Sequence, residues 1–321
     1  MNKRLKNTLS IVLPILLGVF LIIYTYNSFS SDQIDKMKSY FVHANYFFVC
    51  LSGILAFFGY ILRAYRWRYT LEYIGYPSDF KFNLIAISIG YFLNLTIPRS
   101  GEVSRAALLT QYKDVPFDKG FGTIIAERIV DFIILIVFIL VAVFLEFDTL
   151  KNFLLEYIPL KTLIVLGVIG AFSGILGIYL LLYSKIPFIL KIKEKISGLS
   201  QGILSVFKMP NKTPFLIQTL LIWFTYILMF YSVIYALDET RIISFGAVIV
   251  AFVIGSLTIA FTNGGFGFFP VLIAKILLLY NIPEEAGNAF GWIVWTSQLV
   301  ITIFLGGLAF LILPTFAKKS N

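Results

Sequence analysis

Long apolar runs separated by short polar segments repeat along the whole chain. Runs of about 20 residues, enough for a helix to cross a hydrocarbon core of about 30 Å, lie at 9–27, 44–62, 119–145, 162–183, 215–237 and 289–313. Two further apolar regions are interrupted, 82–110 by the letters IPRSGE and 245–280 by TNGGFGFFP. The pattern predicts an all-α polytopic membrane protein with about six full spanning helices and two broken regions.

The composition agrees with a single integral membrane domain over 1–321. Hydrophobic residues make up 59% of the chain and charged residues 13%, whereas about a quarter of a soluble domain is charged. The basic start MNKRLKN and the apolar run after it resemble a signal peptide, but the run exceeds the usual length of about 7 to 15 residues. We therefore expect a retained first helix.

The supply of reactive side chains excludes several kinds of site. Cys50 is the only cysteine and His43 the only histidine, so intramolecular disulfides, cysteine-histidine zinc sites and Cys/His catalytic pairs are ruled out. We expect no metal and no cofactor. The net charge of +9 is read as a topology signal rather than as nucleic-acid binding, because no soluble basic patch interleaved with aromatic residues is present.

Loop charges predict the orientation, because cytoplasmic loops are enriched in Lys and Arg. With a cytoplasmic N-terminus, the basic loop after 44–62, the basic segment 185–212 and the C-terminal KKSN share that side with most of the 26 Lys and Arg residues. Segment 185–212 has the apolar spacing of an amphipathic helix on the membrane surface. We expect a multi-pass cell (inner) membrane protein with cytoplasmic N- and C-termini.

This orientation requires both interrupted regions to return to the side from which they enter. Region 82–110 is predicted to be a re-entrant hairpin entered from the cytoplasm, and 245–280 one entered from outside; full crossings remain the alternative, since about 17 residues can just span. Hairpins of opposite orientation form an inverted-repeat architecture. Transporters of that plan bind substrate where the broken helices meet.

The first tip has the features of an anion site. Pro98 ends the incoming helix, Ser100 is expected to cap the outgoing one, and that helix directs its positive N-terminus at the tip. In the second tip the glycines permit close backbone approach, and Thr262 or Asn263 is the expected cap. The predicted phosphate-binding residues are Arg99, Ser100, Gly101, Arg105, Gly264, Gly265 and Gly267.

Ionisable residues also occur inside the predicted helices. Glu127 lies about ten residues, or about 15 Å, into the run that starts near Phe117. One interpretation is a structural ion-pair cluster with Arg99 and Arg105; the other is a cluster that balances or couples charge during transport. The residues assigned to this charge-balancing or coupling group are Glu102, Glu127, Arg128 and Asp131.

Two further sets of basic residues have alternative interpretations. Arg63, Arg66 and Arg68 lie among aromatic residues after the second spanning helix, and we interpret them as an orientation anchor that contacts lipid headgroups. Lys275 either extends to the interface or faces inward, and the interfacial position is favoured.

Together these motifs resemble the integral membrane region of the lysylphosphatidylglycerol synthase superfamily, the flippase-like membrane proteins. The resemblance rests on the RWR segment, on P-x-x-G-E-x-x-R followed by E-R-x-x-D, and on the late G-G-x-G turn, and it covers nearly the whole chain. It implies a module that moves an anionic phospholipid or a polyprenyl-phosphate-linked lipid between leaflets. In several relatives the module is fused to a soluble synthase or glycosyltransferase domain, so a soluble cytoplasmic enzyme is an expected kind of partner.

We therefore expect a lipid flippase rather than an enzyme, with an anionic lipid or lipid-linked phosphate as its substrate. The alternatives are a membrane-embedded lipid-modifying enzyme, with Glu127 or Asp131 as base, and a non-transporting subunit that anchors a soluble enzyme through 185–212. No nucleophile and base pair and no nucleotide-binding loop can be assembled from the sequence to support the enzyme.

Overall fold

The described part of the chain is built from helices joined by short turns. The computed structural model describes residues 3–97, 99–157, 208–262 and 264–316, together with isolated positions between 161 and 206. Two short 3₁₀ helices, Asp238–Thr240 and Leu313–Phe316, accompany the α-helices. The α-helices are α1 Lys3–Ser28, α2 Ser31–His43, α3 Tyr46–Tyr73, α4 Phe80–Thr96, α5 Ser100–Lys113, α6 Phe117–Leu145, α7 Phe147–Tyr157, α8 Lys212–Ile234, α9 Phe245–Phe261, α10 Phe268–Leu278 and α11 Glu284–Ile312.

Four of these helices are long and apolar enough to cross a membrane: α3, α6, α8 and α11 with its 3₁₀ extension. They coincide with the runs predicted at 44–62, 119–145, 215–237 and 289–313. Residues 15–28 of α1 and helix α2 would together be long enough for a fifth span, although a bend of 115° separates them. The predicted span 162–183 and the predicted amphipathic segment 185–212 lie mainly outside the described residues.

The two interrupted regions each form a helical hairpin. Lys113 at the end of α5 binds Asp79 before α4, with Nζ and Oδ2 2.6 Å apart, so α5 returns to the point where α4 begins. In the second pair, Gly255 of α9 packs against Phe269 of α10. At about 1.5 Å per residue, α4 is about 25 Å long and α10 about 16 Å, both shorter than a hydrocarbon core of about 30 Å.

Side-chain pairs between helices establish the relative directions of the long helices. Arg63 and Trp67 of α3 meet Asp131 and Thr123 of α6, so these neighbours run antiparallel and α6 starts where α3 ends. Hairpin α4–α5 lies between them in the chain and therefore begins and ends on that same side. This agrees with the predicted return of region 82–110; its placement in a bilayer stays a prediction.

Helix packing is reciprocal between the two halves of the described chain. Helix α3 packs on α8, the second arm of each hairpin packs on the long helix that follows it, and the first arms, α4 and α9, pack on α11 and α6. Arg66 meets Thr219 while Asn45 donates a backbone hydrogen bond to Ala236, so α3 and α8 are antiparallel. This is the contact pattern that an inverted repeat would produce.

Candidate functional site

The tip of the first hairpin is a tight turn with a left-handed residue at its centre. Arg99 has φ 61° and immediately precedes α5; its side chain is exposed. The Ser100 hydroxyl donates to the carbonyl oxygens of Leu93, at 2.9 Å, and Ile97, at 2.8 Å. The prediction that Ser100 caps α5 is therefore wrong, since its hydroxyl satisfies carbonyl groups at the end of α4 instead.

Gly101 lets the two arms cross closely at this tip. Its backbone N–H donates to the Asn94 side-chain oxygen at 2.7 Å, and a Cβ at this position would overlap the carbonyl oxygen of Gly90 on α4. One N–H at the start of α5 is thus already bound within the protein. The anion-binding capacity of this helix end resides in its remaining first-turn amides and in its positive dipole.

A buried carboxylate on α6 joins α3 to α6. Asp131 receives two hydrogen bonds from Arg66, at 2.6 and 3.0 Å, and one from Arg63 at 3.1 Å. Arg63 also donates to the Tyr226 hydroxyl of α8 at 2.5 Å. Arg66 is fully buried, Arg63 7% exposed and Asp131 7% exposed. The two-point contact of the Arg66 guanidinium with Asp131 is a strong kind of ion pair and joins α3 to α6, and Arg63 extends the link to α8 through Tyr226.

A second buried pair joins the first hairpin to α6. Arg105 of α5 donates to Glu127 at 3.1 Å, and its guanidinium carbon lies 4.0 Å from the centre of the Trp67 ring. Trp67 is held in turn by a hydrogen bond to Thr123 at 3.0 Å. Glu127 also lies 3.9 Å from Arg66, so the two buried pairs form one continuous network.

The third pair lies at the tip and is less buried. Arg128 binds Glu102 at 2.9 Å, with the Arg128 side chain 35% exposed and that of Glu102 17%. Arg128 is also 3.9 Å from Asp131. We call the network of these seven residues the charged cluster: Arg63, Arg66, Arg105, Arg128, Glu102, Glu127 and Asp131.

At the base of the first hairpin, a surface ion pair lowers the pKa of a carboxyl group. The Lys113 ammonium, hydrogen-bonded to Asp79, holds the pKa of that carboxyl below its usual range. The pair is mostly exposed on the Asp79 side, where the side chain is 70% accessible. Such a pair adds little stability, but it marks the point where the two arms of the hairpin meet.

The second tip uses glycines where the sequence predicted them. Gly264, Gly265 and Gly267 have φ of 63°, 80° and 73°, values that other residues rarely adopt. The Gly265 N–H donates to the Thr262 hydroxyl at 3.0 Å, and Trp295 of α11 donates to the Gly264 carbonyl at 2.8 Å. The prediction that Thr262 caps α10 is wrong, because α10 begins after Gly267 and has no side-chain cap; the alternative cap, Asn263, lies outside the described residues.

The two tips lie next to each other. A Cβ built at Gly264 would be 3.9 Å from the Leu95 side chain, near the end of α4. Gly267 contacts Gly18 of α1, so α1 also reaches this tip. Lys275 lies away from the tips, near the other end of α10, where it binds Glu284 at 2.7 Å and stays 56% exposed.

Several arginines contact other groups than the sequence predicted. Arg63 and Arg66, predicted to contact headgroups, are buried in the charged cluster; only Arg68 of that segment is largely exposed, and it pairs with Glu72 at 2.6 Å. Of the two arginines expected to pair with Glu127 and Asp131, Arg105 pairs with Glu127 alone, while Asp131 pairs with Arg63 and Arg66. No ion pair of Arg99 is present among the described residues.

Several residues of the site had only weak sequence signals. Trp67 and Tyr226 resemble ordinary aromatic residues of apolar helices, and Asn94 is a single amide in an apolar run. In the described part of the chain no group of three His, Cys, Asp or Glu side chains is arranged to hold a metal ion. The carboxylates of the charged cluster all bind arginine instead.

Comparisons with known proteins identify the chain as a member of a family of membrane proteins. The family model for the lysylphosphatidylglycerol synthase TM region matches residues 11–314. The UPF0104 membrane protein MJ1595 of Methanocaldococcus jannaschii is 26% identical over 141 residues, which are 43% of this chain; the chain covers 40% of that relative's length. No solved structure shows significant similarity to the chain. The match over nearly the whole length places the chain in the lysylphosphatidylglycerol synthase transmembrane family.

Proposed function

We propose that this protein moves an anionic lipid, a phospholipid or a polyprenyl-phosphate-linked lipid, between the leaflets of the cell membrane. The lipid phosphate binds at the tip of the first hairpin, beside Arg128 and Arg99. The main support for this proposal is an excess of positive charge in the charged cluster. Four arginines of the charged cluster face three carboxylates, so the cluster has a net charge of +1.

A buried surplus charge is costly unless an anion offsets it. Moving an ionised group into an apolar medium costs several kcal/mol, which an opposite charge repays only when the geometry and hydrogen bonding of the pair are good. A phosphate at the tip supplies the missing negative charge together with acceptor oxygens for guanidinium groups. Arg99, exposed on the turn, adds a further positive charge at the point of entry.

The hairpins supply the geometry that transport requires. Broken helices that meet near the middle of a membrane form the substrate sites of inverted-repeat transporters. Here the tips approach each other at Leu95 and Gly264, and the charged cluster lies beside the first tip. In the proposed orientation both termini are cytoplasmic, the first hairpin enters from the cytoplasm and the second from outside.

The proposal is tested by lipid exchange in reconstituted vesicles. Wild-type protein should expose fluorescently labelled anionic lipid of the inner leaflet to a membrane-impermeant quencher. Arg128→Gln should slow this exchange by about tenfold or more, because it removes a charge-assisted contact worth about 1.5–3 kcal/mol. Arg68→Gln is the matched control, since it removes an exposed arginine paired with Glu72, and it should exchange lipid like wild type.

The same vesicles separate the alternatives. If wild-type protein exchanges none of the anionic phospholipids and polyprenyl phosphates tested, the transport proposal is wrong. Conversion of a lipid into a new chemical species, seen by mass spectrometry, would favour a membrane-embedded enzyme. Capture of a soluble enzyme without any exchange would favour the anchoring role.

A further inference from the structure

The Glu102 carboxylate lies where an anionic ligand of this hairpin would bind. It belongs to the first turn of α5, where the helix end favours negative charge. Arg128 binds it at 2.9 Å, and the side-chain amide of Asn94 lies beside it. A helix N-terminus, a guanidinium and an amide donor are the groups that proteins use to hold a phosphate.

Glu102 and Arg128 are also the most accessible pair of the charged cluster. Their side chains are 17% and 35% exposed, whereas the other five range from 0% to 9%. A ligand can reach this pair without separating Arg66 from Asp131 or Arg105 from Glu127. The deeper pairs therefore form a fixed frame, and the pair at the tip is the one that can change partners.

This pair leaves hydrogen-bonding capacity unused. Among the described residues, Oε2 of Glu102 and Nε of Arg128 are buried without a partner, and so is Nε of Arg105, whose residue is 5% exposed. Arg105 lies one helical turn after Glu102 on the same face of α5. A phosphate at this position can accept from the two unpartnered donors, Nε of Arg128 and Nε of Arg105.

We propose that Glu102 is an internal competitor of the substrate: in the lipid-free protein its carboxylate fills the anion site, and the lipid phosphate displaces it to bind Arg128. This inference rests on the proposed function, because it assumes that the site takes a lipid phosphate. Displacement keeps Arg128 paired throughout, and the released Glu102 carboxylate stays in the first turn of α5, where the helix dipole favours negative charge. It also weakens binding, which favours release after the lipid has moved.

The inference is tested by binding rather than by transport. Full-length protein in detergent is titrated with short-chain phosphatidylglycerol in one arm and with inorganic phosphate in the other, and affinity is measured by calorimetry. Glu102→Gln should tighten binding by about tenfold, because the neutral amide competes less well for Arg128. Arg128→Gln should weaken binding by at least as much. Tightening in both arms identifies a phosphate site, and tightening with lipid alone identifies a headgroup site that also needs the hydrocarbon chain.

Two controls keep the result interpretable. Glu72→Gln removes an equal charge from an exposed pair and should leave affinity unchanged. Glu102→Asp keeps the charge but retracts the carboxylate, and it should tighten binding by a smaller factor; it replaces Glu102→Gln if that variant does not fold. Unchanged or weaker binding by a folded Glu102 variant overturns the inference, as does equal tightening by Glu72→Gln.

Failure of this inference is distinguishable from failure of the proposed function. If Glu102→Gln binds phosphate more tightly but vesicles with wild-type protein exchange no lipid, Glu102 competes for the site and the transport proposal is wrong. If lipid exchange depends on Arg128 but substitution of Glu102 leaves the affinity unchanged, the transport proposal stands and Glu102 is not a competitor.

Discussion

At the scale of single residues, the members of the charged cluster divide into fixed and exchangeable groups. Asp131 accepts three hydrogen bonds from two buried arginines, so its charge is neutralised within the protein. Arg128 and Glu102 bind each other at the accessible edge. Buried ion pairs are weak evidence for stability in general, but removing one partner of such a pair leaves an uncompensated charge.

Asp131→Asn should therefore destabilise the protein strongly. The substitution leaves Arg66 fully buried without its carboxylate, at a cost of about 3–5 kcal/mol. Thermal unfolding of detergent-solubilised protein should show a clear loss of Tm. Asp32→Asn, which breaks an exposed pair with Lys36, is the matched control and should leave Tm unchanged. Equal Tm values for Asp131→Asn and wild type would mean that the buried pair is not structurally required.

At the scale of helices, the first hairpin depends on close contact between glycines. Gly101 of α5 lies against Gly90 of α4, and this contact brings Arg105 and Glu102 towards α6. A side chain at position 101 would separate the arms. Because α5 supplies one residue to each of the two ion pairs with α6, a shift of the arms would disturb the site as well as the packing.

Gly101→Ala should consequently reduce both stability and lipid exchange. Forcing a methyl group into a packed contact costs about 1–3 kcal/mol, and the displaced α5 should lose its alignment with Arg128. Thermal unfolding and vesicle exchange measure the two effects. Gly122→Ala is the control, because no described atom lies within 4 Å of a Cβ there. Wild-type behaviour of Gly101→Ala in both assays would contradict the close crossing.

The sequence predicts helices better than it predicts the partners of their side chains. Apolar length alone located α3, α6, α8 and α11, and loop charge predicted that region 82–110 returns to its starting side. Burial of Arg63 and Arg66 was missed, because a basic residue near a helix end has the same local sequence signal whether it faces lipid headgroups or a buried carboxylate. Only the packing of α3 against α6 distinguishes the two cases.

The turn at the first tip shows the same limit. Sequence rules predict a helix break at Pro98 and a capping serine after it. In the structure Arg99 takes the left-handed conformation and Ser100 donates to the preceding helix. Either direction of hydrogen bonding satisfies a serine hydroxyl, so the choice depends on how the arms pack.

At the scale of the whole molecule, helix directions constrain the topology. Helix α3 packs antiparallel to both α6 and α8, and each hairpin returns to the end from which it starts. We therefore expect the two hairpins to open to opposite sides of the membrane. The residues that flank the first hairpin should therefore lie on one side of the membrane. Residues near the start of α9 should face the other.

Cysteine labelling tests this arrangement. In a Cys50→Ala background, Lys81→Cys and Asp118→Cys should react with a membrane-impermeant maleimide only from the cytoplasmic side. Ile242→Cys, at a position that is 78% exposed, should react only from outside. Labelling of Lys81→Cys and Asp118→Cys from opposite sides would show an odd number of crossings between them and refute the returning hairpin.

A cryo-electron microscopy map would show whether the first hairpin tip holds a lipid phosphate against Arg128. The sample is wild-type protein in nanodiscs that contain an anionic lipid shown to be exchanged. We expect phosphate density within hydrogen-bond distance of Arg128, with Glu102 turned away and the pair of Arg66 and Asp131 unchanged. An intact pair of Arg128 and Glu102, with ordered headgroups only elsewhere on the protein, would contradict it.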